Sequence, residues 1–374
     1  MRVLSRVPTL VLLGLLASVA CAPAAPAPST AAPTAAPTLA PTAAATVAPT
    51  AAPAVPTPTA QGRAQLKVGH LPTINSGGLY IAFERGYFRE QGIDADLQPF
   101  ASLTEAAPLL ATGDLAVYGG GTGLPLYNAL LRGIPVRAVA DKSHEEPGYP
   151  FKAAVARKDL YDSGVIRSVA DLKGHRISGQ NSPGSQYQLD LMLRTAGLTL
   201  EDVTYVPLGL PEGLTALTNG AVDASFTFEP FLTRSKDVAG AVPLMTEDEV
   251  KPGLQGGVIN YGSRLLQDRD LGNRFMVAYV KGIRTYLDAL AGKDRDGVIA
   301  ILQKYSGVSD RETYERSVWG ALYPDGHVNT DSLMDEQQWY VSRGDMPRVL
   351  PASEVVDDGF WRFASQTLGL YQKP

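Results

Sequence analysis

One cysteine in 374 residues leaves no partner for a disulfide within the chain and no ligand set for a Cys-rich zinc or iron–sulfur site. Histidine is nearly as sparse. The four residues His70, His144, His175 and His327 lie far apart, none in an H-E-x-x-H pattern, so no metal site is expected. The chain has no G-x-S-x-G elbow, no Walker A loop and no G-x-G-x-x-G opening a helix after a strand. Residues 119–123 are glycine-rich but lack the third spaced glycine. With no catalytic set and no cofactor signature, an enzyme is not expected. A basic surplus is missing too: 33 Lys+Arg stand against 38 Asp+Glu, for a net charge of −5. Nucleic acid is therefore not an expected partner, because its binding needs a concentrated positive field.

The first sixty residues do not read as fold. Arg2 and Arg6 precede a short apolar run from Val7 to Ala20. That run is shorter than the roughly 20 residues a permanent membrane span needs, and it reads as an export signal over residues 1–20. It ends Ala17-Ser18-Val19-Ala20-Cys21. Small residues before a lone Cys resemble the bacterial lipoprotein cleavage box, although Ser18 stands where that box usually has Leu. The resemblance implies that Cys21 is lipidated and becomes the N-terminus. Residues 22–60 hold 17 Ala, 10 Pro and 8 Thr and no charge. Proline blocks helix and sheet hydrogen bonding, so residues 21–63 are expected to form an extended tether. The expected localisation is outside the cytoplasm, lipid-anchored to the outer face of the cytoplasmic membrane.

From Gln65 the pattern changes. Residues 65–71 alternate like a strand, and Leu79, Phe83 and Tyr87 recur at helical spacing. Further strands are predicted at 93–100, 115–118, 173–178, 203–208 and 222–228, with helices between them. Strand–helix alternation predicts an α/β fold with mostly parallel sheets. Residues 110–117 and 217–224 each read as a helix end, a Gly cap and a buried strand. This suggests two similar lobes, about 64–150 and 151–261, with a mainly helical remainder over 262–374 that is expected to return to the first lobe. Ligands of open α/β sheets bind at the carboxyl ends of strands. The loops expected there, 71–78, 119–125, 179–187 and 226–231, contain no Lys or Arg and one acid, Glu229. That inventory favours a neutral or weakly basic flat heterocycle, hydrogen-bonded to Glu229, over an anion held by an Arg clamp. Asp141, Lys142, His144 and Glu145 fall near the expected hinge. They read as a solvated loop or, alternatively, as an acid–base set.

The segment Leu79-Tyr80-Ile81-Ala82-Phe83-Glu84-Arg85-Gly86-Tyr87-Phe88, with Gln91-Gly92-Ile93-Asp94, resembles a motif of bacterial ABC-transporter solute-binding proteins of the sulfonate, taurine, nitrate and thiamine-pyrimidine group. Asp171-Leu172-Lys173-Gly174 is similar to a second motif, and Gly220-Ala221-Val222-Asp223-Ala224 leading to Glu229-Pro230 to a third. Ala116 departs from the group, where Asp is common. The Cys-rich motif of the yeast pyrimidine-synthesising relatives is absent. The resemblance implies a two-lobed type II periplasmic-binding-protein fold with two hinge crossovers, near 151–156 and 258–263. It implies a monomer that closes on a small solute and delivers it to permease subunits. Carried over by position, the cleft would be lined by Asn75, Ser76 and Gly77; by Gly121 and Thr122; by Ser182, Gly184, Ser185 and Tyr187; and by Glu229. The solute expected from the Arg-free loops is a thiamine-precursor-like pyrimidine. The alternatives are a sulfonate, taurine or nitrate, or else an exported enzyme or a tethered sensor domain.

Overall fold

The computed structural model describes residues 62–374, so the signal, the tether and Cys21 lie outside the described residues. Ten strands form two five-stranded sheets. The first holds β1 (Ala64–His70), β2 (Ile93–Pro99), β3 (Val117–Gly120) and β4 (Arg137–His144). The second holds β5 (Lys152–Ala156), β6 (Arg176–Gly179), β7 (Thr204–Pro207), β8 (Ala224–Phe228) and β9 (Val242–Thr246). The last strand, β10 (Gln255–Tyr261), returns to the first sheet.

The sheets repeat one plan. Their orders are β2-β1-β3-β10-β4 and β7-β6-β8-β5-β9. In each, three parallel strands are followed by one antiparallel strand that the chain lays down as it crosses between lobes: β10 in the first, β5 in the second. This matches the type II periplasmic-binding-protein fold, and the six predicted strands all form, within a few residues of the predicted bounds. The return to the first sheet comes earlier than the expected 258–263. Residues 255–261 already pair with β3 and β4, because the punctuation at Pro252-Gly253 ends lobe two before them.

Helices fill the outer faces. The helix Arg269–Leu290 places Phe275, Tyr279, Ile283 and Tyr286 on one buried stripe. It packs against Gly77–Glu84, where Gly77 and Gly78 allow close approach to its tyrosines. The apolar run expected to continue to Phe88 breaks at Gly86, whose φ of +78° turns the chain into a separate short helix, Tyr87–Glu90. Among the described residues, no helix is long and apolar enough to cross a membrane.

Candidate functional site

The carboxyl ends of β1, β3, β6 and β8 face one another across the cleft between the sheets. Because β5 and β10 run antiparallel, they present their amino ends to the same place. The cavity enclosed there is small: the space open to the centre of a water molecule is about 20 Å³. Thr73, Gly121, Thr122, Lys142, Ser143 and Gly256 line it from the first lobe, and Phe151, Lys152, Gln180, Ser182, Gly184, Ser185, Gln188 and Phe228 from the second.

Five sequence-predicted residues are therefore brought together: Gly121, Thr122, Ser182, Gly184 and Ser185. Ser182 sits at the N-cap of the helix Pro183–Arg194 but makes no side-chain capping bond, which leaves its hydroxyl uncommitted. A Cβ on Gly184 would lie 2.5 Å from the Thr122 carbonyl oxygen, so only glycine lets this helix start approach the opposite lobe.

The other five expected residues do not line the cavity. Ser76 donates its hydroxyl to the Leu71 carbonyl at 2.6 Å, and Gly77 packs against Tyr286. Asn75 is buried beside Gly320, with both side-chain amide atoms unpartnered. Tyr187 joins a core cluster 5.5 Å from the Trp339 ring, and its hydroxyl accepts from Lys251 at 3.3 Å. Glu229 is 1 % exposed, and its carboxylate accepts from the Thr233 N–H at 2.9 Å, the Thr233 hydroxyl at 2.8 Å and the Ser317 hydroxyl at 3.1 Å. It ties the first turn of the helix Phe231–Ala239 to the other lobe. Burial raises its carboxyl above the usual range.

The run from Asp141 to Glu145 is not a solvated loop. It is the end of β4 and the residue after it, all buried. Asp141 accepts from Gln255 Nε2 at 2.7 Å, the Tyr323 N–H at 2.8 Å and, where the ring nitrogen carries the proton, His144 Nδ1 at 3.1 Å. These bonds tie β4 to β10 and to the backbone at Tyr323. Lys142 points into the cavity, and its ammonium donates to the Thr73 hydroxyl at 3.0 Å. No carboxylate among the described residues pairs with it. Burial, reinforced by the nearby Lys152 charge, lowers Lys142 to about 7.

Lys152 is the second cation, and it is compensated. Its ammonium lies 2.8 Å from Glu145 and 2.7 Å from Glu247, all three buried. Glu145 opens the first crossing between lobes and Glu247 stands at the start of the second, so the triad spans both. Burial acts against the Lys152 charge, but the two glutamates outweigh it and hold the amine above its usual value. Burial and the neighbouring Glu247 push the Glu145 carboxyl well up despite Lys152. Gly256 leaves room for this ammonium, which a side chain there would meet.

The loops are free of Lys and Arg as expected, but both cations enter from the ends of strands. One signal in the sequence could have found them. The turn punctuation after the apolar run 138–140 falls at Pro147-Gly148, not at Asp141, so the strand continues through the charged residues.

A family model described as NMT1/THI5 like matches residues 73–289, which includes the motif segments at 79–94, 171–174 and 220–230. A protein named 4-amino-5-hydroxymethyl-2-methylpyrimidine phosphate synthase from Aspergillus parasiticus is 27% identical over 151 residues, 40% of this chain and 41% of that protein. A putative aliphatic sulfonates-binding protein of Escherichia coli K12 is 27% identical over 150 residues, 39% of this chain and 44% of that protein. The chain thus spans less than half the length of these curated relatives. Among solved structures, the alkanesulfonate-binding protein SsuA from Xanthomonas axonopodis pv. citri bound to MOPS has a TM-score of 0.65 at 22% identity, covering 80% of this chain and 100% of that one. The periplasmic nitrate-binding protein NrtA from Synechocystis PCC 6803 has a TM-score of 0.68 at 13% identity, covering 82% and 89%.

Proposed function

The chain belongs to the NMT1/THI5-like family, and from that premise we propose that it is the exported solute-binding component of an ABC importer that captures a small organic anion between its lobes. The observation that carries this reading is Lys142, a buried ammonium that faces the cavity with a hydroxyl and no carboxylate as its side-chain partner. An uncompensated buried cation is costly, and an incoming carboxylate or sulfonate removes that cost. The hydroxyls of Thr122, Ser182 and Ser185 supply further donors. This replaces the expectation of a pyrimidine held by Glu229, whose carboxylate is already engaged elsewhere. Solute contacts both lobes only when they are closed, so binding shifts the population toward closure, and the permease reads the closed form. Cys21, as a lipid anchor followed by the tether, keeps the lobes near the membrane.

A second reading is favoured by the same lysine. An amine lowered to about 7 can act as a base or nucleophile at neutral pH, and one relative is named as a synthase. Native mass spectrometry separates the two. The purified protein is mixed with methanesulfonate, taurine, nitrate, acetate and 4-amino-5-hydroxymethyl-2-methylpyrimidine. A one-to-one complex with an anion, released unchanged, is the expected result. Chemical conversion of the bound compound, or selective retention of the pyrimidine, contradicts it.

A further inference from the structure

Lys142 has a second chemistry, which needs no solute. The residue is 3 % exposed, and its stem runs past Gly257, where a Cβ would lie 3.1 Å from Lys142 Cδ. Its amine reaches the inner cavity, and its side-chain partner there is the Thr73 hydroxyl. The charged and titratable groups around it are accounted for. Asp141, on the same strand, is engaged by Gln255 and the Tyr323 N–H. Lys152, from β5, is paired with Glu145 and Glu247. His70, at the end of β1, is lowered by burial to about 4 and is neutral at pH 7.

The lining of the cavity is rich in donors. The Thr73 hydroxyl accepts from Lys142 at 3.0 Å and donates to no protein group among the described residues. Gln180 is buried, and its Nε2 has no hydrogen-bond partner. The Ser182 hydroxyl makes no capping bond, and the Lys152 ammonium borders the same space. Among the described residues, no carboxylate lines the cavity. Buried donors with no acceptor are unfavourable. With about 20 Å³ open to the centre of a water molecule, a few heavy atoms fill the space.

We propose that Lys142 is a carbamylation site, at which CO2 adds to the side-chain amine. The lone pair of the neutral Nζ bonds to the carbon of CO2. One C–O π pair becomes a lone pair on oxygen, and one amine proton leaves to solvent. The product is a carboxylate built on Nζ, inside the cavity. Its oxygens accept from the Thr73 hydroxyl and Gln180 Nε2, and its charge offsets that of Lys152. Burial and the Lys152 charge lower the amine to about 7, so the neutral form that reacts is abundant in mildly alkaline solution. Lys152 is no second site, because Glu145 and Glu247 hold its proton. Carbamylation and anion capture exclude one another, since the first consumes the amine whose ammonium the second requires.

The test is carbon NMR of the purified protein equilibrated under isotopically labelled CO2. It is paired with trapping by triethyloxonium and peptide mass spectrometry of the wild type. A protein-bound carbamate resonance is expected at about pH 8, severalfold weaker at about pH 6, with the trapped ethyl carbamate on Lys142. Lys142→Arg keeps a cation, removes the nucleophile and should abolish that resonance. Thr73→Val keeps the amine, removes one donor and should lower occupancy about two- to tenfold. No resonance beyond that of Lys142→Arg, or trapped carbamate on other amines with none on Lys142, overturns the proposal. Either result leaves the anion reading standing, because that reading needs only the ammonium.

Discussion

A buried lysine near a second buried lysine is an expensive group for a fold to keep. Lys142 therefore yields predictions of opposite sign for stability and for binding. Its amine is lowered to about 7 by burial and by Lys152, with Asp141 acting weakly the other way. The folded protein thus binds fewer protons than the unfolded chain from about 7 up to the ordinary lysine value. The resulting penalty is full below about 7 and fades as pH rises through that window. Lys142→Met should raise stability in denaturant melts by about 1–3 kcal/mol at neutral pH and abolish anion binding. A variant that is less stable and binds anions normally would remove Lys142 from the site. In the wild type, anion affinity should fall as pH rises above about 7, because the free protein then lacks the ammonium and must take up a proton to bind. Calorimetry in buffers of different ionisation enthalpy reads that proton directly. The residue was visible in the sequence but its setting was not. Burial of a charged run follows from tertiary packing, and charged residues are ordinarily exposed.

Among the elements, strand ends and crossings carry the site. Lys152 at the head of β5 is held by Glu145 and Glu247, one from each crossing. Burial and Glu247 push the Glu145 carboxyl well above its usual value, so loss of its charge is the cheaper change in the triad. Glu145→Gln removes that charge and should cost under about 1 kcal/mol in a denaturant melt. Lys152→Met strands two buried carboxylates and should cost about 3–5 kcal/mol. Equal costs for the two would refute this ranking. Glu229→Gln separates the sequence expectation from the structure. It weakens the cap on the helix Phe231–Ala239 by about 1–2 kcal/mol and leaves anion affinity unchanged. Parallel strands and helix starts were legible, because Gly, Ser and Pro at residues 119–123 and 182–184 mark them locally. The antiparallel strands β5 and β10 were not read as such. Their place in a sheet is decided by which lobe the chain is leaving, and no local pattern records that.

For the molecule as a whole, the C-terminal helices make direct contacts with the second lobe. Arg316 forms a bidentate pair with Asp237 at 2.7 Å for both bonds. On another face, Trp339 donates to Asp190 at 2.6 Å and Lys251 pairs with Asp335 at 2.7 Å. Arg316→Ala removes a contact between the C-terminal helices and the second lobe, so on the proposed clamshell reading the solute must supply more of the closure itself. Anion affinity should weaken about two- to fivefold, with a faster off-rate in stopped-flow measurements and little change in melting. An unchanged off-rate would show that the pair does not latch the lobes. Two repeated α/β lobes could be read from the matching segments 110–117 and 217–224, whereas the partners across the cleft lie 79 to 149 residues apart and follow only from the fold. The account stands most directly on one measurement: calorimetric titration of wild type and Lys142→Met with the sulfonate that binds best. The prediction is saturable one-to-one binding by the wild type, with proton uptake above pH 7, and no heat of binding in the variant. Equal affinity in the two proteins would contradict the claim that a buried, uncompensated lysine selects an anionic solute.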